Sequence, residues 1–209
     1  MTGFTRRTVL GAAAALPVAA CAPRAATPRT PLRVATFNIW HDAGNWPLRL
    51  KLIADVLRAA DADVIALQEV LQDSNKKLPN QAETIAAALG GYTVHFMSTS
   101  PEGAANRYGN AILSRLPVSA VDTIKLEPLN DYRTAIRLRV DAHGRTVDVV
   151  NTHLAWQPDQ GPARAQQIRS LLDWLPQDDV PLVLMGDFYA PLDEAALAPL
   201  AIHGLDPAL

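Results

Sequence analysis

Four polar residues stand at the ends of short apolar runs, and their types suit one chemistry. Asn38 closes VATF, Glu69 follows VIALQ, His153 follows VDVVNT and Asp187 follows LVLMG. A strand that ends in a carboxylate, amide or imidazole puts a rigid backbone under a polar group at a sheet's rim. Such a rim can collect several ligands around one hard cation. Magnesium prefers oxygen ligands and keeps some of its water, so a few carboxylates and amides suffice. Singly, each residue also has an ordinary reading. Glu69 reads as a cap or a solvated side chain, His153 as a satisfied structural histidine, Asp187 after Gly186 as a turn aspartate, and Asn38 as a strand-end hydrogen-bonding residue. Their order and context favour a shared site.

The elements that must position them follow from periodicity. Arg33 to Ile39 is β-rich and predicts a first strand. Leu48 to Ala60 carries Ile53, Val56, Leu57 and Ala60 at helical spacing. Val64 to Gln68 is a short apolar run of the kind buried on both faces. Gln81 to Leu89 predicts a helix that Gly90-Gly91 stops. Strands are expected at Tyr92–Met97, Asn110–Ser114, Val118–Leu126, Thr134–Val140 and Thr146–Thr152, with a hairpin turn at His143–Arg145. Pro162 to Leu175 reads as a helix with Ile168, Leu171, Leu172 and Leu175 on one face, and Leu182 to Met185 as another buried strand. Helices at both ends of a run of hairpin strands favour two packed sheets with helices outside over a doubly wound parallel sheet. No internal repeat stands out.

The 209 residues are enough for one domain, and 49% hydrophobic with 19% charged residues reads as globular. The formal net charge is -2, and no block of lysines and arginines suggests a dedicated nucleic-acid arm. A single cysteine, Cys21, rules out an internal disulfide. Before it, Arg6-Arg7 precede an apolar run from Val9 to Ala20, the form of a secretory signal too short for a comfortable membrane span. TRRTVLG resembles a twin-arginine export signal, and PVAAC resembles a bacterial lipobox that would make Cys21 the lipidation site. The expected organisation is a signal at 1–20, a tether at 21–31 rich in Ala, Pro and Thr, and one folded domain at 32–209. The expected location is outside the cytoplasm, in the periplasm or cell envelope, as a membrane-anchored lipoprotein.

Five strings occur in one order: TFNIW (36–40), ALQEV (66–70), GNAILS (109–114), NTHL (151–154) and GDFYAPLD (186–193). Together they resemble the successive motifs of the endonuclease/exonuclease/phosphatase superfamily. The resemblance spans about residues 32–209 and implies a four-layer α/β/β/α sandwich. It implies metal-dependent hydrolysis of phosphodiester or phosphomonoester bonds with Mg²⁺ or Mn²⁺, by a monomer, on nucleic acid or a phospholipid head group. By position, Asn38 resembles an asparagine near the metal and Glu69 the main metal-binding glutamate. His153 matches the histidine that contacts the scissile phosphate, and Asp187 the aspartate that orients or activates water. Asn110 and Arg133 lie in segments similar to ones that line the substrate site. A non-catalytic membrane-surface binding protein reusing the fold is the alternative. The stretch from Trp156 to Pro162 suits a nucleic-acid contact, an apolar lipid-facing loop, or a plain connection.

Two departures from the family pattern bear on activity. Tyr189 stands where the family reads GDFN, and a phenol cannot reproduce a short amide's geometry. Leu209 follows Asp187 by 22 residues, and none of the five histidines sits in the Ser-Asp-His motif with which family members end. The sandwich is therefore expected to be incomplete at its C-terminal end, with slow turnover.

Overall fold

The computed structural model describes residues 30–207. The leader at 1–20, Cys21 and most of the tether lie outside the described residues. The remainder forms one compact unit from Pro31 onward. Its strands are β1 (Val34–Asn38), β2 (Val64–Asp73), β3 (Thr93–Ser98), β4 (Asn106–Ser114), β5 (Val118–Lys125), β6 (Thr134–Asp141), β7 (Thr146–His153) and β8 (Leu182–Asp187). Its helices are α1 (Trp46–Ala60), α2 (Gln81–Leu89), α3 (Gly161–Trp174) and α4 (Ala198–Ile202).

The strands make two four-stranded sheets, ordered β1-β2-β4-β3 and β5-β6-β7-β8. β1 runs parallel to β2, and β7 parallel to β8; the other neighbours are antiparallel. Three apolar layers hold this together. Ile53 and Leu57 of α1 and Ile85 of α2 pack on Ile65, Leu67 and Leu113 of the first sheet. Val64, Ala66 and Ile112 face Ile136, Leu138 and Val149 between the sheets. Ile168, Leu171 and Leu172 of α3 cover Ala135 and Val150 on the far side of the second sheet. The result is the expected α/β/β/α sandwich. It explains why β2 reads as an apolar run: both of its faces are covered.

Local signals set the helix ends. The Asn45 side chain accepts from Leu48 N–H at 3.1 Å, and Pro47 is tolerated in the first turn, so α1 begins at Trp46 rather than Leu48. Asn80 caps α2 by accepting from Ala82 and Glu83. The β6–β7 hairpin turns at His143-Gly144, where the Asp141 carboxylate accepts from Gly144 N–H at 2.6 Å.

Several strands run past their expected ends, β2 and β4 most of all. β4 starts at Asn106, and β2 continues past Gln68 to Asp73. The pairing register of β2 with β4 shifts between Leu67 and Val70, so β2 absorbs a bulge and carries on. Glu69 therefore sits inside a strand, at its bulge, and not after the strand's end. The short helix α4 was not anticipated.

Candidate active site

The two parallel pairs decide where the chemistry collects. Asn38 is the last residue of β1, His153 of β7 and Asp187 of β8. His153 and Asp187 are register partners, and Leu154 N–H donates to the Asp187 carbonyl at 2.9 Å. Glu69 arrives from the β2 bulge with a φ of 58°, a left-handed conformation that a glutamate adopts only under constraint. Two glycines make this geometry possible. A Cβ on Gly109, opposite the bulge, would lie 1.9 Å from the Met97 carbonyl oxygen. A Cβ on Gly186 would lie 2.2 Å from that of Thr152.

Asn38 is the hub. Its Nδ2 donates to Glu69 Oε1 and to Asp187 Oδ2, both at 2.9 Å, so one amide holds two carboxylates side by side. Its Oδ1 accepts from Trp40 N–H at 2.9 Å, which fixes the amide's orientation. Asp187 Oδ1 accepts from Tyr189 N–H at 3.3 Å, and the Tyr189 hydroxyl lies 3.4 Å from Glu69 Oε1. The Tyr189 ring lies 5.4 Å, centroid to centroid, from the His153 ring.

These groups open into a cleft of about 660 Å³ lined by Glu69, Arg133, His153 and Tyr189 together with Trp40, His41, Tyr108, Asp131, Tyr132 and Trp156. Five of these, Trp40, His41, Glu69, Tyr132 and Tyr189, have positive φ without being glycine. Held strain of this kind concentrates at functional sites. His153 is buried, and its Nε2 has no hydrogen-bond partner. An unpaired buried nitrogen on a cleft wall is a place for a ligand atom.

Residues 35–208 match the sequence profile of the Endonuclease/Exonuclease/phosphatase family. The chain belongs to that family. Enzymes of the family hydrolyse phosphoesters and generally use divalent metals. The fold is similar to that of the human Nocturnin catalytic domain with bound sulfate (26% identity, 84% of this chain and 70% of that one, TM-score 0.68). It is also similar to a family protein from Leptotrichia buccalis C-1013-b (19% identity, 81% and 72%, TM-score 0.66). A third similar structure is ANGEL2, a 2′,3′-cyclic phosphatase (23% identity, 76% and 48%, TM-score 0.60). No curated protein sequence matches the chain.

In this family member, burial pushes the His153 imidazole down to about 4. The nearby Arg133 charge adds to that shift, and Asp187 and Glu69 pull the other way. The ring is therefore neutral at pH 7. Burial, then the Asp187 and Glu69 charges, push the Tyr189 phenol up to about 12, so it keeps its proton. Arg133 is mostly buried and pairs with Asp131 at 3.3 Å. Asp131 is held in turn by Gln167 Nε2 at 2.6 Å.

The structure thus brings together Asn38, Glu69, Arg133, His153, Asp187 and Tyr189. Asn110 is not among the residues lining the cleft. It is buried, and its Nδ2 crosses between the sheets to the Thr134 carbonyl and hydroxyl at 3.1 and 3.0 Å. Sequence reasoning missed Tyr108, which precedes GNAILS by one residue, and the rim aromatics Trp40 and Tyr132. It also missed Gln68 and Asn151, polar residues within apolar runs that prove to tie the sheets together.

Proposed function

We propose that this chain is a metal-dependent phosphodiesterase or phosphomonoesterase that acts as a monomer. The observation that carries the reading is the Asn38 amide holding Glu69 and Asp187 together beside the unpaired His153 Nε2. Among the described residues no group of three His, Cys, Asp or Glu side chains forms a metal cage. Two carboxylates fit a hard cation that keeps its waters and binds substrate phosphate, which favours Mg²⁺ or Mn²⁺. Glu69 would hold the ion, with Asp187 beside it. Once bound, the cation supplies Lewis-acid polarisation of the phosphoryl group.

The protein's own groups account for the rest. Asp187, steadied by Asn38 and Tyr189 N–H, orients the attacking water and accepts its proton. Neutral His153 lines the same wall and would donate its ring N–H to a non-bridging phosphate oxygen. Arg133 adds positive charge to the same wall. The protonated Tyr189 hydroxyl stands near Glu69 where an amide is the family's pattern, a substitution we expect to slow turnover. No covalent protein intermediate is required.

Hydrolysis of bis-p-nitrophenyl phosphate at fixed Mg²⁺ tests this, with Asp187→Ala and Glu69→Gln as blanks. Turnover that survives either substitution overturns it. Mg²⁺-dependent binding of a phosphoester with no turnover would point instead to a non-catalytic binding protein on the same fold. For location, the paired arginines and PVAAC support export and acylation at Cys21, with the folded domain on a lipid anchor. Cys21→Ser should then move the protein from the membrane to the soluble exported fraction.

A further inference from the structure

The exposed aromatics of this protein are not scattered. Among the described residues, every tryptophan and tyrosine that is substantially exposed lines the same cleft: Trp40, Tyr108, Tyr132, Trp156 and Tyr189. Single exposed apolar side chains are ordinary on a surface, but five gathered on one cleft point to an occupant. The ring pairs in this region join His41 to Trp40 and Tyr108, and His153 to Tyr189. None joins two of the five, so the rings present separate faces and do not form one box around a cation.

Trp40 and Trp156 are 58% and 57% exposed, and each is placed by a buried or half-buried arginine. Arg164 is nearly inaccessible; its guanidinium pairs with Glu194 and also ties down the backbone flanking Trp156. Nη1 donates to the Ala155 and Gln157 carbonyls at 3.0 and 2.8 Å. Gln167 accepts from Ala155 N–H at 2.9 Å. Beside the first sheet, Arg49 of α1 donates to the carbonyls of Trp40, His41 and Ala43 at 3.4, 3.3 and 2.6 Å. It also lies 5.3 Å from the Trp40 ring. Two loops that expose an indole, one after β1 and one after β7, are thus each tied down by an arginine, and both line the cleft. Preorganised ring faces of this kind lower the cost of binding a planar group.

We propose that Trp40 and Trp156 are stacking platforms for unpaired nucleobases, so that the substrate is a phosphoester flanked by exposed bases. This rests on the phosphoesterase reading above and narrows its substrate. Stacking is tolerant of sequence and needs a base whose face is free. A duplex hides those faces and is gripped by many cations along its backbone. Here the cleft's arginine already faces Asp131, and the chain is net acidic.

Full-length Asp187→Ala protein, which keeps both tryptophans and lacks the proposed base, is titrated calorimetrically in Mg²⁺. The ligands are a thymidine octanucleotide, an abasic phosphodiester of equal length, a duplex of equal length, thymidine 5′-monophosphate and phosphocholine. The octanucleotide should bind about tenfold or more tightly than the abasic strand and the duplex. Trp156→Ala should remove most of that advantage with an unchanged melting temperature, and Trp156→Phe should restore part of it. Comparable binding of the monophosphate identifies a free nucleotide as the source, and its failure identifies a strand. Equal affinity for abasic and base-bearing strands, preference for phosphocholine, or indifference to Trp156→Ala would overturn the proposal. Asp187-dependent hydrolysis of bis-p-nitrophenyl phosphate by the wild type is scored separately. Its absence alongside base-dependent binding removes the hydrolase reading and leaves the platforms.

Discussion

Asn151 is the most informative residue to perturb, because it joins the two halves of the site from inside. It lies on β7, fully buried, two residues before His153. Its amide crosses to the other sheet and donates to the Leu67 and Ala111 carbonyls at 2.9 and 2.8 Å. Its oxygen accepts from Gln68 Nε2 at 2.7 Å, and Gln68 also reaches the Thr36 hydroxyl at 3.0 Å. These partners sit at the β2 bulge that carries Glu69. Asn151→Leu keeps the volume and strips two buried carbonyls of this donor, while Gln68 keeps one partner. At about 1–3 kcal/mol for each buried group left unpaired, the loss is about 2–6 kcal/mol. For a domain of this size that lowers the melting temperature by roughly 10 °C. Differential scanning calorimetry of the full chain measures it. Gln68→Leu added to Asn151→Leu should cost less than the two singles summed, because both ends of one bond are then apolar. A melting temperature within about 3 °C of wild type for Asn151→Leu would refute the claim that this tie holds the sheets in register.

Mg²⁺ or Mn²⁺ at tenfold its dissociation constant should raise the melting temperature by about 3–6 °C, and Glu69→Gln should abolish the rise. An unchanged response in that variant removes Glu69 as the ligand. Tyr189→Asn should raise kcat, by up to about 10²-fold, if an amide beside Asp187 is the better donor; a fall in kcat would make the phenol a working part of this site. In EDTA, the stability contribution of His153 should fall as pH drops. Between its usual value near 6.5 and about 4, the unfolded chain binds a proton that the buried ring does not. His153→Gln should flatten that slope, and equal slopes in the two proteins would show the ring is not the cause.

Much of the fold was legible because its signals are local. Asn45 and Asn80 announce helix starts, and the apolar runs of β2, β7 and β8 announce covered strands. Asn38, His153 and Asp187 were legible for the same reason: each ends such a run. The β2 bulge was not, since one inserted residue leaves the apolar pattern nearly intact while turning Glu69 toward the rim. Rim aromatics such as Tyr108 and Tyr132 were missed because each lies alone in its segment, and only closure of the sandwich collects them.

The polar residues inside the strands suggest how more could have been read. Gln68, Asn110, Thr134, Asn151 and Thr152 interrupt stretches that are otherwise buried on both sides. An uncompensated amide there would be costly, so each implies a partner across the gap. The partners are found on the facing sheet for Gln68, Asn110 and Asn151, and on the adjacent strand for Thr152, whose hydroxyl donates to the Thr134 carbonyl at 3.1 Å. All these ties lie within a few residues of Glu69 and His153. A core held by apolar contact alone tolerates small slips between sheets, because such contacts are not directional. Hydrogen bonds between named atoms do not tolerate them. Placing directional ties next to a site built from both sheets is what lets Asn38 meet Glu69 and Asp187 at one distance.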